Sequence, residues 1–415
     1  MTELLLLSRN RDFLLLQTGQ LLSTFGAMMS GIAYPLLTLA LTGSAAKAGY
    51  VGAVQFTPIV LLSAAAGVAA DRFDRRKLMI ASDAAGAAAL ASLAAAVLSH
   101  HATFWLILLV AFVDTSAAVL FRAGSSGAFR AVVPRPQLAD AASVAMARMS
   151  TVRLIGPPAG GALFGLSRGL PFLADAISYA FSTASLLLMR TRFQEERERD
   201  TAPLRRQLRE GISFLAGVPF LRTTMLMIAV SNFAVSGTQL ALIVLAKRDG
   251  LSSATIGGFV ALTGATTLLG SVASPLFRRV LSLRAILLSE FWAAVGYASF
   301  LIWPNVYVLA VAFASQAFCF PNTDSAVAGY SYALIPDRLL GRVMSTSNTL
   351  RALVVPLGPL AAGLLLSAVS PRETVGVLMG VTLTAAVVGT FSSSIRGAPP
   401  LDELTTAGAS RGAAG

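Results

Sequence analysis

The sequence predicts an all-α membrane protein with twelve transmembrane helices in two pseudo-symmetric halves of six helices each. Hydrophobic residues make up 55% of the 415 residues and charged residues only 13%, whereas soluble domains carry about 25% charged residues. The hydrophobic residues occur in blocks long enough for helices that cross a bilayer, each of which needs about 20 residues. In addition, the second half of the chain repeats the first.

The apolar blocks form two sets of six, separated by a charged segment. The first set is predicted near 13–41, 48–70, 78–98, 103–129, 139–167 and 170–189, and the second near 219–246, 253–277, 284–302, 306–333, 341–368 and 372–393. The predicted organisation is an N-terminal half over 1–190, a cytoplasmic linker over 191–216, a C-terminal half over 217–395, and a disordered cytoplasmic tail over 396–415.

The repeat is visible residue by residue when the first half is shifted by about 202 positions. The shift places Gly127 on Gly329, Pro134 on Pro336, and Gly156-Pro157 on Gly358-Pro359, without a gap. Such self-similarity indicates a duplicated unit. Parallel repeats of six spans are a recurrent design of secondary transporters, in which the substrate binds between the repeats near the bilayer midplane.

The basic residues predict the topology. Most of the lysines and arginines lie in the termini, the linker and alternate loops. The opposite set of loops holds only Lys47, Arg168, Lys247, Arg248 and Arg372. The positive-inside rule then places both termini in the cytoplasm of a multi-pass protein of the inner (plasma) membrane. This topology also accounts for the net charge of +12, and no nucleic-acid partner is expected.

The loop after the second predicted span carries a motif. It reads Gly67-Val-Ala-Ala-Asp71-Arg72-Phe73-Asp74-Arg75-Arg76-Lys77. The motif resembles the signature loop of the major facilitator superfamily, and Asp74 in place of the usual glycine is typical of the branch of macrolide-efflux and enterobactin-exporter proteins. The resemblance implies that Asp71 binds the N-terminus of the eleventh helix in one state of the transport cycle, where a carboxylate gains about 0.3–1 kcal/mol. It implies a gating loop of Gly67, Asp71, Arg72, Arg75 and Arg76 that acts with Gly341 and Arg342.

A second motif lies in the fifth predicted span, where Gly156-Pro157-Pro158-Ala159-Gly160-Gly161 resembles the Gly-Pro-x-x-Gly-Gly signature of antiporters in the same superfamily. Glycines allow helices to approach closely, and proline interrupts the hydrogen-bond ladder of a helix. The alternative interpretation is ordinary helix packing, because the repeat carries Gly358-Pro359 at the equivalent place.

Charged residues inside spans indicate a functional or structural role, because inserting each one at a helix centre costs a free energy of about 2.5–3.5 kcal/mol. Asp114 and Arg122 are predicted to share a face of span four, and their equivalents in span ten are Gln316 and Asp324. The resemblance implies that spans one, four, seven and ten line a central cavity. We hypothesise that Arg122 and Asp324 pair across it or flank the substrate.

Asp114 is the first candidate for a proton carrier and Asp324 the second. The amides of Gln20, Gln55, Asn232 and Gln239 complete the predicted substrate and proton pathway. The alternative for the amides is hydrogen bonding between helices. Asp83 and Glu290 are expected to pair with loop arginines, and Asp175 is assigned no role.

These features favour a proton-coupled exporter of small amphipathic molecules such as drugs, secondary metabolites or siderophores. Import by symport, lipid flipping, and a membrane scaffold that does not transport are the alternatives. No nucleotide-binding loop is present, so no enzymatic activity is expected. One cysteine and two adjacent histidines predict no metal site and no cofactor. The expected partners are the lipid bilayer, protons and a small-molecule substrate, and the resemblance implies a monomer.

Overall fold

The computed structural model describes residues 10–191, 193 and 204–398, and the described residues are helical apart from short connections. The predicted disordered tail lies outside the described residues beyond 398, and so does much of the predicted linker. The helices before the linker are α1 (Arg11–Thr42), α2 (Ala45–Arg72), α3 (Arg75–Leu98), α4 (Phe104–Val132), α5 (Leu138–Leu166) and α6 (Leu170–Leu188). A short 3-10 helix, Arg135–Gln137, precedes α5.

The later helices begin with α7 (Leu204–Gly217), which lies in the predicted linker. They continue with α8 (Pro219–Arg248), α9 (Ser253–Val280), α10 (Leu283–Trp292), α11 (Ala298–Ile302), α12 (Val306–Leu334), α13 (Asp337–Leu353), α14 (Leu357–Ala368), α15 (Pro371–Phe391) and α16 (Ser393–Arg396). A 3-10 helix, Ala293–Tyr297, joins α10 to α11, so the ninth predicted span consists of three consecutive helical pieces.

The all-α membrane fold predicted from the sequence is confirmed. Among the described residues, eleven helical segments are long and apolar enough to cross a membrane. The one remaining predicted span, the fifth, corresponds to α5, whose 29 residues extend about 43 Å at 1.5 Å per residue. Its sequence includes Asp140, Arg148 and Arg153, and it is not among the eleven segments that are apolar enough to cross.

Side-chain caps fix several helix starts in the first half. Asn10, Ser44, Asp74 and Thr103 accept hydrogen bonds from the backbone N–H three residues further on. Such caps satisfy backbone donors that lack a partner within the helix. Polar residues between the apolar blocks therefore set where each span begins.

The described chain divides into two compact units. Unit 1 consists of residues 1–198 and 243–262, and unit 2 of residues 199–242 and 263–415. The end of α8 and the start of α9 thus belong to unit 1. The domain boundaries predicted from the sequence stay a prediction.

Within unit 1, α1 packs against α6 and α5, while α3 packs against α4 and α6. Close approach depends on glycine at two positions of α1 and α5. A Cβ atom at Gly26 would overlap Asp175 and Ser178 of α6, and one at Gly160 would come within 2.6 Å of the Met29 backbone. Small residues of this kind are typical of helix interfaces in membranes.

Candidate functional site

Asp114 is the centre of a buried polar cluster in unit 1. Its side chain is 8% exposed. Tyr34 of α1 donates a hydrogen bond of 3.1 Å to one carboxyl oxygen, and Tyr179 of α6 donates one of 2.9 Å to the other. Asp114 therefore joins three helices, α1, α4 and α6, near the middle of the bundle.

Asp175 of α6 lies in the same cluster. It is fully buried and accepts hydrogen bonds from Ser30 at 2.6 Å and from Ser178 at 3.1 Å. The sequence assigned Asp175 no role, so this residue was missed. The spacing of Asp175, Ser178, Tyr179 and Ser182 along one face of the sixth span was the signal that could have revealed it.

Asp83 of α3 is also fully buried, and the expectation that it pairs with a loop arginine is wrong. Ser182 of α6 faces its carboxyl group. Within the described part of the chain, no group forms a geometrically good hydrogen bond with either of its oxygens. An ionised carboxylate in such surroundings would carry a large desolvation cost.

The structure places Arg122 differently from Asp114. Arg122 is exposed, whereas Asp114 is buried, because eight residues of α-helix leave two side chains about 80° apart. The two residues were expected to share one face of span four, but one side chain faces the protein interior and the other is exposed. A contact between Arg122 and Asp324 stays a prediction.

Unit 2 has a matching but less acidic polar cluster. Gln316 of α12, the repeat equivalent of Asp114, is buried and accepts a hydrogen bond of 2.5 Å from Tyr297. It donates one of 3.3 Å to the backbone carbonyl of Glu290. The Glu290 carboxyl accepts a hydrogen bond from Ser231 of α8. The expectation of a loop arginine for Glu290 is therefore wrong.

Asp324 of α12 forms its ion pair within unit 2. The partner is Arg351 of α13, with 3.6 Å between Nη1 and Oδ1. Arg351 also interacts electrostatically with Glu290. Unit 2 thus contains two carboxyl groups, Glu290 and Asp324, that interact with one arginine, Arg351. The Asp114 cluster, by contrast, consists of carboxyl and hydroxyl groups.

The predicted pathway amides have varied surroundings. Gln20 is half-buried on α1, and its carbonyl accepts a hydrogen bond from Thr24. Gln55 of α2 donates a hydrogen bond of 3.5 Å to the Gly31 carbonyl. On α8, Asn232 is half-buried and Gln239 is exposed. Gln55 thus fits the alternative of bonding between helices, and the ligand role of all four amides stays a prediction.

The gating-loop residues have distinct local roles. The Asp71 carboxylate is 67% exposed and lies 3.4 Å from Arg75, whose guanidinium packs against Gly127 of α4. Arg76 donates to the carbonyls of Leu186 and Leu187 at 3.0 and 2.9 Å, which satisfies orphan acceptors at the end of α6. Arg72 is exposed, and a Cβ atom at Gly67 would meet open space.

The start of α13 contacts the predicted linker. Arg342 pairs with Glu210 of α7 at 2.5 Å, and a Cβ atom at Gly211 would overlap Thr346. A cavity of about 690 Å³ adjoins this contact and is lined by Arg209, Glu210, Ser213, Phe214, Gly217, Val218 and Leu339. The sequence did not predict a partner for Arg342 in the linker. A Cβ atom at the neighbouring Gly341 would meet open space.

The second motif forms a tight contact between α5 and the start of α9 inside unit 1. A Cβ atom at Gly161 would overlap the Ser253 carbonyl, and one at Gly257 would overlap the Pro157 carbonyl. On the other side of α5, a Cβ atom at Gly160 would overlap the Met29 backbone of α1, and one at Gly156 would overlap the Met28 side chain. The glycines of the motif thus bring backbones together on two sides of α5.

These features define the class of protein: a multi-pass, all-helical membrane protein with buried ionisable groups inside its helical units. The sequence profile of the Major Facilitator Superfamily matches residues 17–304, and the chain belongs to this superfamily. It is therefore a membrane transporter of the major facilitator type.

Known proteins agree with this assignment. The chain is 26% identical over 222 residues to an uncharacterized MFS-type transporter, YfiS, of Bacillus subtilis strain 168, covering 51% of each chain. It thus spans about half the length of this curated relative.

Two solved structures share the fold at low sequence identity. The inward-facing, unoccupied bacterial homolog of the human lysosomal transporter Spinster superposes with a TM-score of 0.69 at 15% identity, over 93% of this chain and 94% of that one. The nucleoside transporter NupG superposes with a TM-score of 0.66 at 12% identity, over 91% of this chain and 98% of that one.

Proposed function

We propose that this chain exports small amphipathic molecules from the cytoplasm across the plasma membrane in exchange for protons. The observation that carries the proposal is the buried Asp114, held by two tyrosine hydroxyls with no basic partner among the described residues. An ionisable residue inside a span is expensive to retain and is by default a functional hypothesis. The family supplies the transporter class and the alternating-access mechanism.

Protonation of Asp114 would change how α1, α4 and α6 are held together. The ionised carboxylate accepts hydrogen bonds from Tyr34 and Tyr179, and bonds to a charged acceptor are about twice as strong as neutral ones. A bound proton would weaken both bonds at once. Proton binding can thereby shift the equilibrium between two packings of the bundle, which is the requirement for coupling.

The two motifs support antiport and gating. The tight contact of α5 with α9 at Gly161 and Gly257 fits the antiporter-type signature. The exposed Asp71 is available to bind the N-terminus of α13 in another state of the cycle. The basic loops favour cytoplasmic termini, and a monomer suffices because each chain carries both halves.

Gradient-driven transport into everted membrane vesicles tests the proposal, with ethidium and erythromycin as probes. We expect an imposed inward-acidic pH gradient to drive accumulation of at least one probe, and Asp114→Asn to abolish it. The matched control is Asp249→Asn, an exposed residue in the loop after α8, which should behave as wild type.

Other outcomes would favour the alternatives. Probe accumulation in right-side-out vesicles would indicate import by symport, and movement of a fluorescent lipid without either probe would indicate a flippase. If neither probe nor lipid moves in either orientation, the export proposal is wrong.

A further inference from the structure

One face of α6 is polar over its middle two turns although the helix is long and apolar enough to span the membrane. Asp175, Ser178, Tyr179 and Ser182 recur at the spacing that aligns side chains on a single helix face. All four are buried, in a helix otherwise built mainly from apolar residues. Burying polar groups in a bilayer costs free energy. Packing alone therefore does not explain why these four residues, called the polar stripe of α6 below, are polar.

Three carboxyl groups contact the stripe at three depths. Asp175 lies on it, Tyr179 donates to Asp114, and Ser182 faces Asp83. With a rise of 1.5 Å per residue, Asp175 is about 8 Å from the start of α6 and Asp114 about 15 Å from the start of α4. Asp83 is about 12 Å from the start of α3. Because α3 starts on the membrane side opposite to α4 and α6, the order across the membrane is Asp175, Asp114, Asp83.

Hydroxyl groups surround Asp175 and Asp114, the two carboxyls nearest the start of α6. Ser30 and Ser178 donate to Asp175, while Tyr34 and Tyr179 donate to Asp114. A hydroxyl both donates and accepts hydrogen bonds, so it can take up one proton and release another. Asp114 and Asp175 also interact electrostatically with each other.

The charged and titratable groups around the cluster are acids and phenols. They come from α1 (Tyr34), α3 (Asp83), α4 (Asp114) and α6 (Asp175, Tyr179). In the described ranges, no lysine, arginine or histidine interacts with the three carboxyls. On α5, which also packs against α1 and α6, Arg148 bonds instead to Gln17 at 2.7 Å. No cation is present among these described groups to hold the three acids ionised together, so protons are the natural counter-charge.

The repeat shows that the fold itself does not require acids at the positions of Asp114 and Asp175, whereas the buried Glu290 occupies the position of Asp83 in the second half. Gln316 replaces Asp114 in the second half. The last long helix, α15, has a place in its half that corresponds to α6, and its only acidic residue is Glu373 in the first turn. The second copy of the bundle thus packs without an acidic face on its sixth span.

We propose that Asp175, Asp114 and Asp83 form a proton-transfer path through unit 1, which delivers protons to Asp114 from one membrane surface and removes them to the other. In each step a carboxyl O–H gives its proton to a neighbouring hydroxyl oxygen, and that hydroxyl releases its own proton to the next carboxylate. No electrons move and each hydroxyl is regenerated. This inference rests on the proposed proton antiport and extends it to two further residues.

The proposed proton path is not continuous in this structure. Coupling of proton movement to substrate transport requires such an interruption. Neither oxygen of Asp83 has a good hydrogen bond from the described residues, so the step between Ser182 and Asp83 is not formed. The hydroxyls bonded to Asp175 are also not hydrogen-bonded to those bonded to Asp114 in the described part of the chain. A path that conducted continuously would dissipate the proton gradient. We expect the missing contacts to form only in another state of the transport cycle.

Two assays in proteoliposomes test the path, with ethidium as the probe. The first measures uptake driven by a pH gradient, and the second measures exchange of ethidium at equal pH on both sides, which needs no net proton movement. Asp175→Asn and Asp83→Asn should each reduce gradient-driven uptake by about tenfold or more. Both should retain exchange within about twofold, because neither residue binds the substrate.

Tyr179→Phe provides a variant of nearly unchanged shape and should also lose gradient-driven uptake. Asp249→Asn is the control and should keep both activities. Infrared spectroscopy of the purified protein adds a direct readout: on titration, the protonated-carboxyl signal should lose one component in each Asp→Asn variant of the path.

The outcomes separate this inference from the proposed function. If wild type shows exchange but no gradient-driven uptake, proton antiport itself is wrong. If wild type is driven by the gradient and Asp175→Asn and Asp83→Asn are equally driven, only the path is overturned. Loss of exchange in Asp175→Asn, Asp83→Asn and Tyr179→Phe together would also overturn it, since that result would assign the stripe a purely structural role.

Discussion

Asp74 illustrates how a single residue can depart from a family pattern and still serve the fold. Its carboxyl accepts a hydrogen bond of 2.9 Å from the backbone N–H of Lys77 and caps the start of α3. We predict that Asp74→Ala lowers the free energy of unfolding by about 1 kcal/mol, whereas Asp74→Gly costs only a few tenths. Denaturant unfolding in detergent would measure both.

The control for the cap is Asp249→Ala, which removes an exposed loop carboxylate of the same kind. Equal stability of Asp74→Ala and Asp249→Ala would contradict the capping role. The small cost of glycine at an N-cap also explains in physical terms why the usual family pattern can carry glycine at this position.

The sequence could identify Asp114 but not its partners. A lone carboxylate in the middle of an apolar block can be recognised from the sequence alone. The free-energy cost of inserting it into a membrane indicates that it has a function. Tyr34 and Tyr179 come from helices far away in sequence, so the residues around Asp114 gave no indication of them. Asp83 and Asp175 were misjudged for a related reason: distance from the end of a span says little about which side chains a helix faces.

At the scale of elements, the contact between α5 and α9 depends on individual glycines. Gly257 lies against the Pro157 carbonyl, whereas a Cβ atom at the adjacent Gly258 would meet open space. We predict that Gly257→Leu forces the two helices apart and that Gly258→Leu does not, because overpacking is costly only where the backbone is already in contact.

Accessibility of a cysteine reports this separation. In a Cys319→Ser background, Ser253→Cys replaces a residue that is buried, so it should react slowly with a membrane-impermeant maleimide. Labelling should accelerate about tenfold in combination with Gly257→Leu and stay slow with Gly258→Leu. Equal labelling with both leucines would show that the glycine contact does not hold α5 against α9.

Most helices could be predicted from the sequence because spans are long apolar blocks with polar caps between them. The first span was predicted at 13–41 and is α1, Arg11–Thr42. Interruptions inside blocks were harder to foresee. The eleventh predicted span breaks at 354–356 between α13 and α14, where Pro356 lacks the N–H that a continuing helix needs. The apolar composition on both sides of the break concealed it.

At the scale of the whole molecule, the number of membrane crossings depends on α5. Its length is sufficient to span a bilayer, but Asp140, Arg148 and Arg153 reduce its apolar character. Arg148 is accommodated because it donates a hydrogen bond of 2.7 Å to Gln17 of α1. The duplicated halves require α5 to cross, since Gly156-Pro157 in it repeats as Gly358-Pro359 in a segment apolar enough to span.

We predict that the two ends of α5 lie on opposite sides of the membrane. Pro136 precedes the helix and is exposed, and Ser167 follows it and is half-buried beside Arg168. In a Cys319→Ser background, Ser167→Cys should react with a membrane-impermeant maleimide in intact cells, and Pro136→Cys only in everted vesicles. The reason is the charge distribution: the loops on the Pro136 side hold most of the arginines, which favours retention in the cytoplasm. Labelling of both positions from the same side would exclude a crossing by α5, and with it the even number of spans that places both termini in the cytoplasm.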